Sequence, residues 1–328
     1  MRNNAPKVNY EAVTDDLVRL LEQGTPPWVC EWNDPRSRFL PFNVVSMADN
    51  PNQTYRGMNV IMLWARQKIM GYSCNGWITL KALRELGGNL ITMPDNAPRR
   101  ADNKTGQKAQ AVINAKPFVS KGYKQVADNA FRHKETGEIV GADTALIRVP
   151  RVAGYVFNLD QVENLPEEYT KPQDKPSGTQ EEADRMLAAY GVAEKTSDDN
   201  RCAYSPSKDT VYMVHPKHFQ TEDDWYRTRF HEFIHSTGHA IRLDRFQQRP
   251  TKEEYAFEEL IAEMGSAFLC ARFGIPGKVQ HASYLQHYIK VLKDDPKAIF
   301  RAASEARKAS ELILSSIPET QAVIADAA

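Results

Sequence analysis

The chain has 328 residues, more than one ordinary domain needs, and 41% of them are hydrophobic, enough for real cores. Its 42 basic and 42 acidic side chains cancel overall, yet residues 1–155 carry 21 Lys+Arg against 14 Asp+Glu and the remainder carry 21 against 28, so the first half suits a polyanion. No long apolar run or signal-peptide core is present, which excludes a membrane span and points to a cytoplasmic protein, and four isolated cysteines without a C-x-x-C pair exclude a disulfide framework or a cysteine zinc site.

In chain order, the first predicted helix covers residues 10–23, with Val13, Leu17, Leu20 and Leu21 on one side and Gly24 as its stop. Further helices are expected at 59–70 and from Thr79 to just before Gly87-Gly88. Short strands follow at 90–93, 111–119 and 145–158, with polar loops at 95–107 and 129–141. Trp28, Trp32, Trp64 and Trp77 are interleaved with Arg56, Arg66, Lys68, Lys81 and Arg84. Single-stranded DNA is held this way, with bases stacked on rings and cations following the phosphates. Any single ring more often belongs to a core. Tyr55-Arg56-Gly57-Met58-Asn59 is the best local candidate, because a Gly turn there opens a helix whose N–H groups favour phosphate. The candidate DNA contacts are Tyr55, Arg56, Asn59, Trp77 and Lys81. A stretch rich in Pro, Lys, Gln and Asp at 169–182 reads as a linker between domains at 1–168 and 183–328.

Beyond the linker, residues 204–215 read as a turn and a strand. Val211 to Val214 is the candidate edge strand on which an extended peptide can pair. Tyr204, Tyr212, His215 and His218 are candidate donors to a developing oxyanion. Thr221 with the acids after it opens a helix carrying His231-Glu232-Phe233-Ile234-His235. Histidines four apart share a helix face, so His231 and His235 can hold one metal, expected to be Zn²⁺, and Glu232 can take a proton as general base. A catalytic set needs a third protein ligand. Thr251 and Glu254 form a capping-box pattern, and the helix they open carries Glu258, Glu259 and Glu263. Glu259 is read as the third ligand with Glu258 as its rival, and Glu263 as a carboxylate bonded to a ligand histidine. His239 is off the spacing of the longer zinc signature, which would place its last histidine at Ile241, and is read as lying outside the ligand set. Helices at about 280–293 and 296–315 precede an Ala-rich tail.

Together these residues resemble the ArdC family of plasmid antirestriction proteins. The resemblance is carried by Pro41-Phe42-Asn43, Tyr55-Arg56-Gly57-Met58-Asn59, Trp77-Ile78-Thr79 and Gly87-Gly88, then by Phe157 to Gln161. It continues through Tyr204-Ser205-Pro206, the 231–239 run, Arg242-Leu243 and the 258–270 helix. It implies an α+β fold of two domains. One is an N-terminal mixed sheet/helix domain that binds single-stranded DNA; the other is a mainly helical, zincin-like metallopeptidase domain with a small sheet. It further implies protection of incoming plasmid or phage DNA from host restriction, with a host protein as a possible substrate. A similar N-terminal domain accompanies plasmid primases. The polar stretch at 95–107 departs from the family pattern, where a Gly-rich basic loop is more usual. The competing class is a DNA-coating protein whose metal is structural or vestigial.

Overall fold

The computed structural model describes residues 6–29, 40–49, 53–93, 105–115, 117–170, 178–246, 250–277 and 285–317. Trp32, the polar stretch at 95–104, the linker core at 171–177 and the Ala-rich tail from 318 lie outside the described residues.

The elements up to the middle of the chain are α1 (Tyr10–Glu22), β1 (Phe42–Asn43), α2 (Val44–Asp49), α3 (Met58–Met70), β2 (Gly76–Thr79), α4 (Leu80–Glu85) and β3 (Asn89–Leu90). Then come β4 (Gln110–Asn114), β5 (Pro117–Val119), β6 (Tyr123–Ala127), β7 (Ala130–His133), β8 (Ile139–Val140), α5 (Ala142–Ala145), β9 (Leu146–Arg148) and β10 (Arg151–Asn158). The rest are β11 (Val162–Glu163), α6 (Glu167–Thr170), α7 (Gln180–Tyr190), β12 (Ala193–Thr196), β13 (Ala203–Ser205), β14 (Thr210–Met213), α8 (Glu222–Ser236), α9 (Lys252–Phe273), α10 (Leu285–Asp294) and α11 (Ala298–Leu314).

Most expected helices form close to the expected bounds, because caps delimit them. The Thr221 side chain accepts from Asp224 N at 3.1 Å, and Thr251 with Glu254 closes a capping box that starts α9. Gly274 ends α9 at φ 67. Two expectations fail. The expected loop at 129–141 contains β7 and β8, which pair with β6 in a three-stranded antiparallel sheet. Asn129 and Gly137, both at positive φ, turn these hairpins, and the strands are too short and too polar to show a clear period. The linker expected at 169–182 overlaps α7, whose start is fixed by Thr179 capping with Glu182 and whose Ala183, Met186 and Leu187 are buried.

The chain divides into two compact units, one of Met1–Asn9 with Ala111–Tyr155 and one of Tyr10–Gln110 with Val156–Ala328. The smaller unit is antiparallel sheet around the buried Phe131. In the larger unit, β1 runs parallel to β2, and the end of β10 pairs antiparallel with β2 through Phe157↔Ile78. Helices from both ends of the sequence share that unit's core. Tyr10 meets Phe300 edge-on at 4.7 Å, Trp28 meets Tyr288 at 6.3 Å and Trp64 meets Phe268 at 6.1 Å. The Thr14 hydroxyl donates to Pro296 O at 2.8 Å. The compact units therefore cut the chain at different places from the 168/183 division read in the sequence.

The second small sheet has the order β12-β14-β13, so β14, the expected edge strand, is central and its Val211 is fully buried. The edge is β13. Helices α8 and α9 lie against each other, and Gly265 of α9 sits directly against Ile234 of α8. A Cβ built there would sit 2.8 Å from Ile234 Cδ1 on α8. A β-branched side chain has few other rotamers to escape into. Gly265→Ala is expected to lower unfolding stability by about 1–3 kcal/mol in urea titration despite the better helix propensity of Ala. Unchanged or raised stability would mean the helices are not held this close.

Candidate metal centre

The first turn of α8 is acidic, with Glu222 exposed and Asp223 and Asp224 half-buried, while its last two turns are largely buried against α9. That burial brings His231 and His235 opposite Glu259. His231 Nε2 lies 3.1 Å from His235 Nε2 and 3.4 Å from Glu259 Oε2, and His235 Nε2 lies 3.5 Å from Glu259 Oε1. Two imidazole nitrogens thus face the Glu259 carboxylate, each histidine meeting a different oxygen, and together they form a donor triangle whose ligand atoms lie within 4.8 Å of one another. A tetrahedral ion with bonds of about 2.1 Å separates its ligands by about 3.4 Å. The triangle has the size and the donor chemistry to seat a divalent metal.

The electrostatics agree. Burial alone would make His235 harder to protonate, but hydrogen bonds to Glu258 and Glu259 outweigh it and raise its pKa to about 10. Burial pushes Glu259 up, yet the two histidines override it and hold the carboxyl far below the ordinary range. The carboxylates around His235 favour positive charge at this site, which a divalent metal would supply.

Glu232, next to His231 on the buried side of α8, accepts the Tyr204 backbone N–H at 2.8 Å. This bond ties the candidate general base to edge strand β13. A cavity of about 800 Å³ opens over the centre, walled in part by Tyr204, Phe246, Tyr255 and His239. The Tyr204 and Phe246 rings stack at 6.1 Å. The Tyr204 hydroxyl donates to Asp209 at 2.6 Å and accepts from Arg242 Nη2 at 3.1 Å, and burial with the Asp209 carboxylate beside it pushes the phenol's pKa up. Its proton is therefore engaged with Asp209. Of the other donor candidates, Tyr212 lies under the Lys208 ammonium, His215 caps Lys217 N, and His218 lines a separate depression with Cys202.

The outer nitrogen of His235, Nδ1, meets Glu258 Oε1 at 3.2 Å. Glu263 is buried one turn beyond Glu259. The sequence offers Glu258 only as the rival ligand. The signal that could have placed it is Arg245, a cation thirteen residues earlier that grips its carboxylate.

Two family models cover most of the chain. One, the N-terminal domain of anti-restriction factor ArdC, matches residues 7–152, and the other, a zincin-like metallopeptidase, matches residues 181–305. The crystal structure of the metal-free antirestriction ArdC protein from the R388 plasmid superposes with a TM-score of 0.68 at 34% identity, covering 94% of this chain and 97% of that one. The chain belongs to the ArdC family. The Mn(II)-bound structure of the R388 protein matches with the same TM-score at 33% identity. DNA primase TraC of Escherichia coli is 31% identical over 320 residues, and the match spans 93% of this chain but only 27% of the primase. An uncharacterized protein of Sinorhizobium fredii is 28% identical over 310 residues, with 92% and 90% of the two chains covered. The two-domain α+β architecture, with a helical C-terminal region, is that of the family.

Of the nucleic-acid candidates in this ArdC-family chain, Tyr55, Arg56 and Asn59 stay together at the turn opening α3. The turn rests on α11: Arg56 Nη1 pairs with Glu311 at 3.4 Å, and a Cβ on Gly57 (φ 53) would sit 3.3 Å from Arg307. Lys81 is exposed on α4, 3.7 Å from Glu85. Trp77 is a correction. Its ring is fully buried, edge-on to Tyr72, and offers no face to a base. Trp28 and Trp64 are likewise core, and Lys68 is turned inward to the carbonyls of Pro26 and Val29.

Proposed function

We propose that this chain is an antirestriction protein that binds single-stranded DNA and carries a zinc peptidase-type site, with His231, His235 and Glu259 holding one Zn²⁺. The observation that carries the reading is the donor set, with the two Nε2 atoms 3.1 Å apart and the two Glu259 oxygens 3.4 Å from His231 and 3.5 Å from His235, and with Glu232 beside it. A bound zinc would acidify water and polarise a carbonyl. Glu232, on the cavity's edge, takes the proton and returns it to a leaving amine. Strand β13 lies at the edge of its sheet beside the cavity, with its Tyr204 N–H held by Glu232, and an extended segment of a host protein can lie along it. A site with a purely structural role has no need of Glu232 at this position, which favours hydrolysis over a vestigial centre.

Single-stranded DNA fits the turn at Tyr55, Arg56 and Asn59 with Lys81 contributing charge. The smaller compact unit, taken by itself, carries nine Lys+Arg against four Asp+Glu, a balance that also suits a polyanion. Arg56→Ala is expected to weaken binding of a labelled oligonucleotide and to reduce the slope of log affinity against log salt by about 0.7, the contribution of one phosphate contact. An unchanged slope would remove Arg56 from the interface.

A plasmid-transfer assay with Glu232→Gln separates the two routes to protection. With metal and DNA binding intact, lost protection means proteolysis of a host factor, and full protection means that coating the DNA suffices. Coating is the expected route, because stacking and phosphate contacts are enough to hide DNA from an endonuclease. A Glu232→Gln protein that has lost DNA binding would defeat the division of roles.

A further inference from the structure

Glu258 and Glu259 are adjacent, acidic and largely buried, yet only one of them faces the imidazole Nε2 atoms. Consecutive helical residues point about 100° apart, so the two carboxylates reach different sides of His235. We infer that Arg245 decides between them: it is a positioning residue that holds Glu258 on the outer nitrogen of His235 and so delivers Glu259 to the metal. The inference rests on the metal-site reading above.

Arg245 grips both oxygens of Glu258, with Nε at 3.0 Å from Oε2 and Nη2 at 2.7 Å from Oε1. Its own position is fixed from α8, since Nη1 donates to Thr237 Oγ1 at 2.7 Å and Nη2 to Ile234 O at 3.2 Å. The guanidinium thus links the end of α8 to the second turn of α9. Its side chain is only 7% exposed, so this planar grip is shielded from water. The Glu258 oxygen held in this way lies 3.2 Å from His235 Nδ1. A carboxylate there keeps the proton on Nδ1 and leaves Nε2 with its lone pair toward the donor triangle. Glu259 is left with His231 and His235 as its partners.

Charge and position make opposite demands, which makes the inference testable. A guanidinium beside a dication repels it, so on charge alone removing Arg245 tightens metal binding. If Arg245 acts by positioning Glu258, removing it loosens metal binding.

The test uses the full chain and Zn²⁺, with affinity read by competition against a chromophoric chelator and folding checked by thermal unfolding without metal. Arg245→Ala is expected to bind Zn²⁺ about 10–100-fold more weakly. Arg245→Lys keeps the charge without the two-point grip and recovers only part of the loss. Glu258→Gln, which preserves shape and folding, is expected to weaken binding by a similar factor. The double variant Arg245→Ala/Glu258→Gln is expected to be no weaker than Glu258→Gln alone, because the two act through one contact. Wild-type affinity in Arg245→Ala or Glu258→Gln, tighter binding in Arg245→Ala, or additive losses in the double variant would each overturn the inference. A wild-type chain that takes up no Zn²⁺ while His235→Ala behaves identically would instead overturn the metal-site reading, and this inference with it.

Discussion

His235→Ala and Glu259→Ala are each expected to lower affinity for the divalent metal by more than about 100-fold, while Glu232→Gln retains it. The expectation follows from the roles of the three side chains. His235 and Glu259 each supply one corner of the donor triangle, and with either gone only two protein donors remain. Losing an outer partner of a ligand already costs about 10–100-fold, so losing a ligand costs more. Glu232 is tied to the Tyr204 backbone instead of to the histidines, and its amide isostere keeps the site's shape. Elemental analysis after gel filtration, with one metal per chain in the wild type, reads the result. Metal retained in both ligand variants would remove the assignment. Loss in Glu258→Ala with retention in Glu259→Ala would move the third ligand by one residue.

The second large effect concerns the sequence halves. Residues 1–168 expressed alone are expected to lack a cooperative unfolding transition. Tyr10, Trp28 and Trp64 pack on Phe300, Tyr288 and Phe268, all of which the cut removes. An aromatic ring of about 200 Å² at about 25 cal/mol per Å² represents several kcal/mol, so three of them approach the whole of a typical stability of about 5–15 kcal/mol. Within the intact chain, Trp64→Ala alone is expected to cost about 3–5 kcal/mol. Tryptophan fluorescence through a urea titration checks both. A cooperative transition in the 1–168 fragment with native-like emission would show that the halves fold independently.

This packing explains what the sequence could and could not disclose. The metal helices were legible because their signals are local: caps at Thr221 and Thr251, a glycine stop at Gly274, and histidines at i and i+4. The tryptophans misled because an aromatic ring interleaved with cations looks the same whether it stacks on a base or fills a core. Which of these applies to Trp64 depends on Phe268, more than two hundred residues away. The contact of Glu258 with His235 is hidden from the sequence for a similar reason. Helical spacing makes Glu259 and Glu263 share a face, and nothing along α9 itself shows that Arg245 has drawn Glu258 to the imidazole. The strand β13 was passed over because three residues carry no measurable period, although its edge position is what places Tyr204 N–H on Glu232.

The most direct test of the account is a crystal structure of the zinc-loaded chain with anomalous data collected on both sides of the zinc absorption edge. The account predicts one anomalous peak, within bonding distance of His231 Nε2, His235 Nε2 and a Glu259 oxygen, with Glu232 facing it without a bond and Glu258 still held by Arg245. A peak coordinated by Glu258 or Glu263 in place of Glu259, or no peak between α8 and α9, would contradict it.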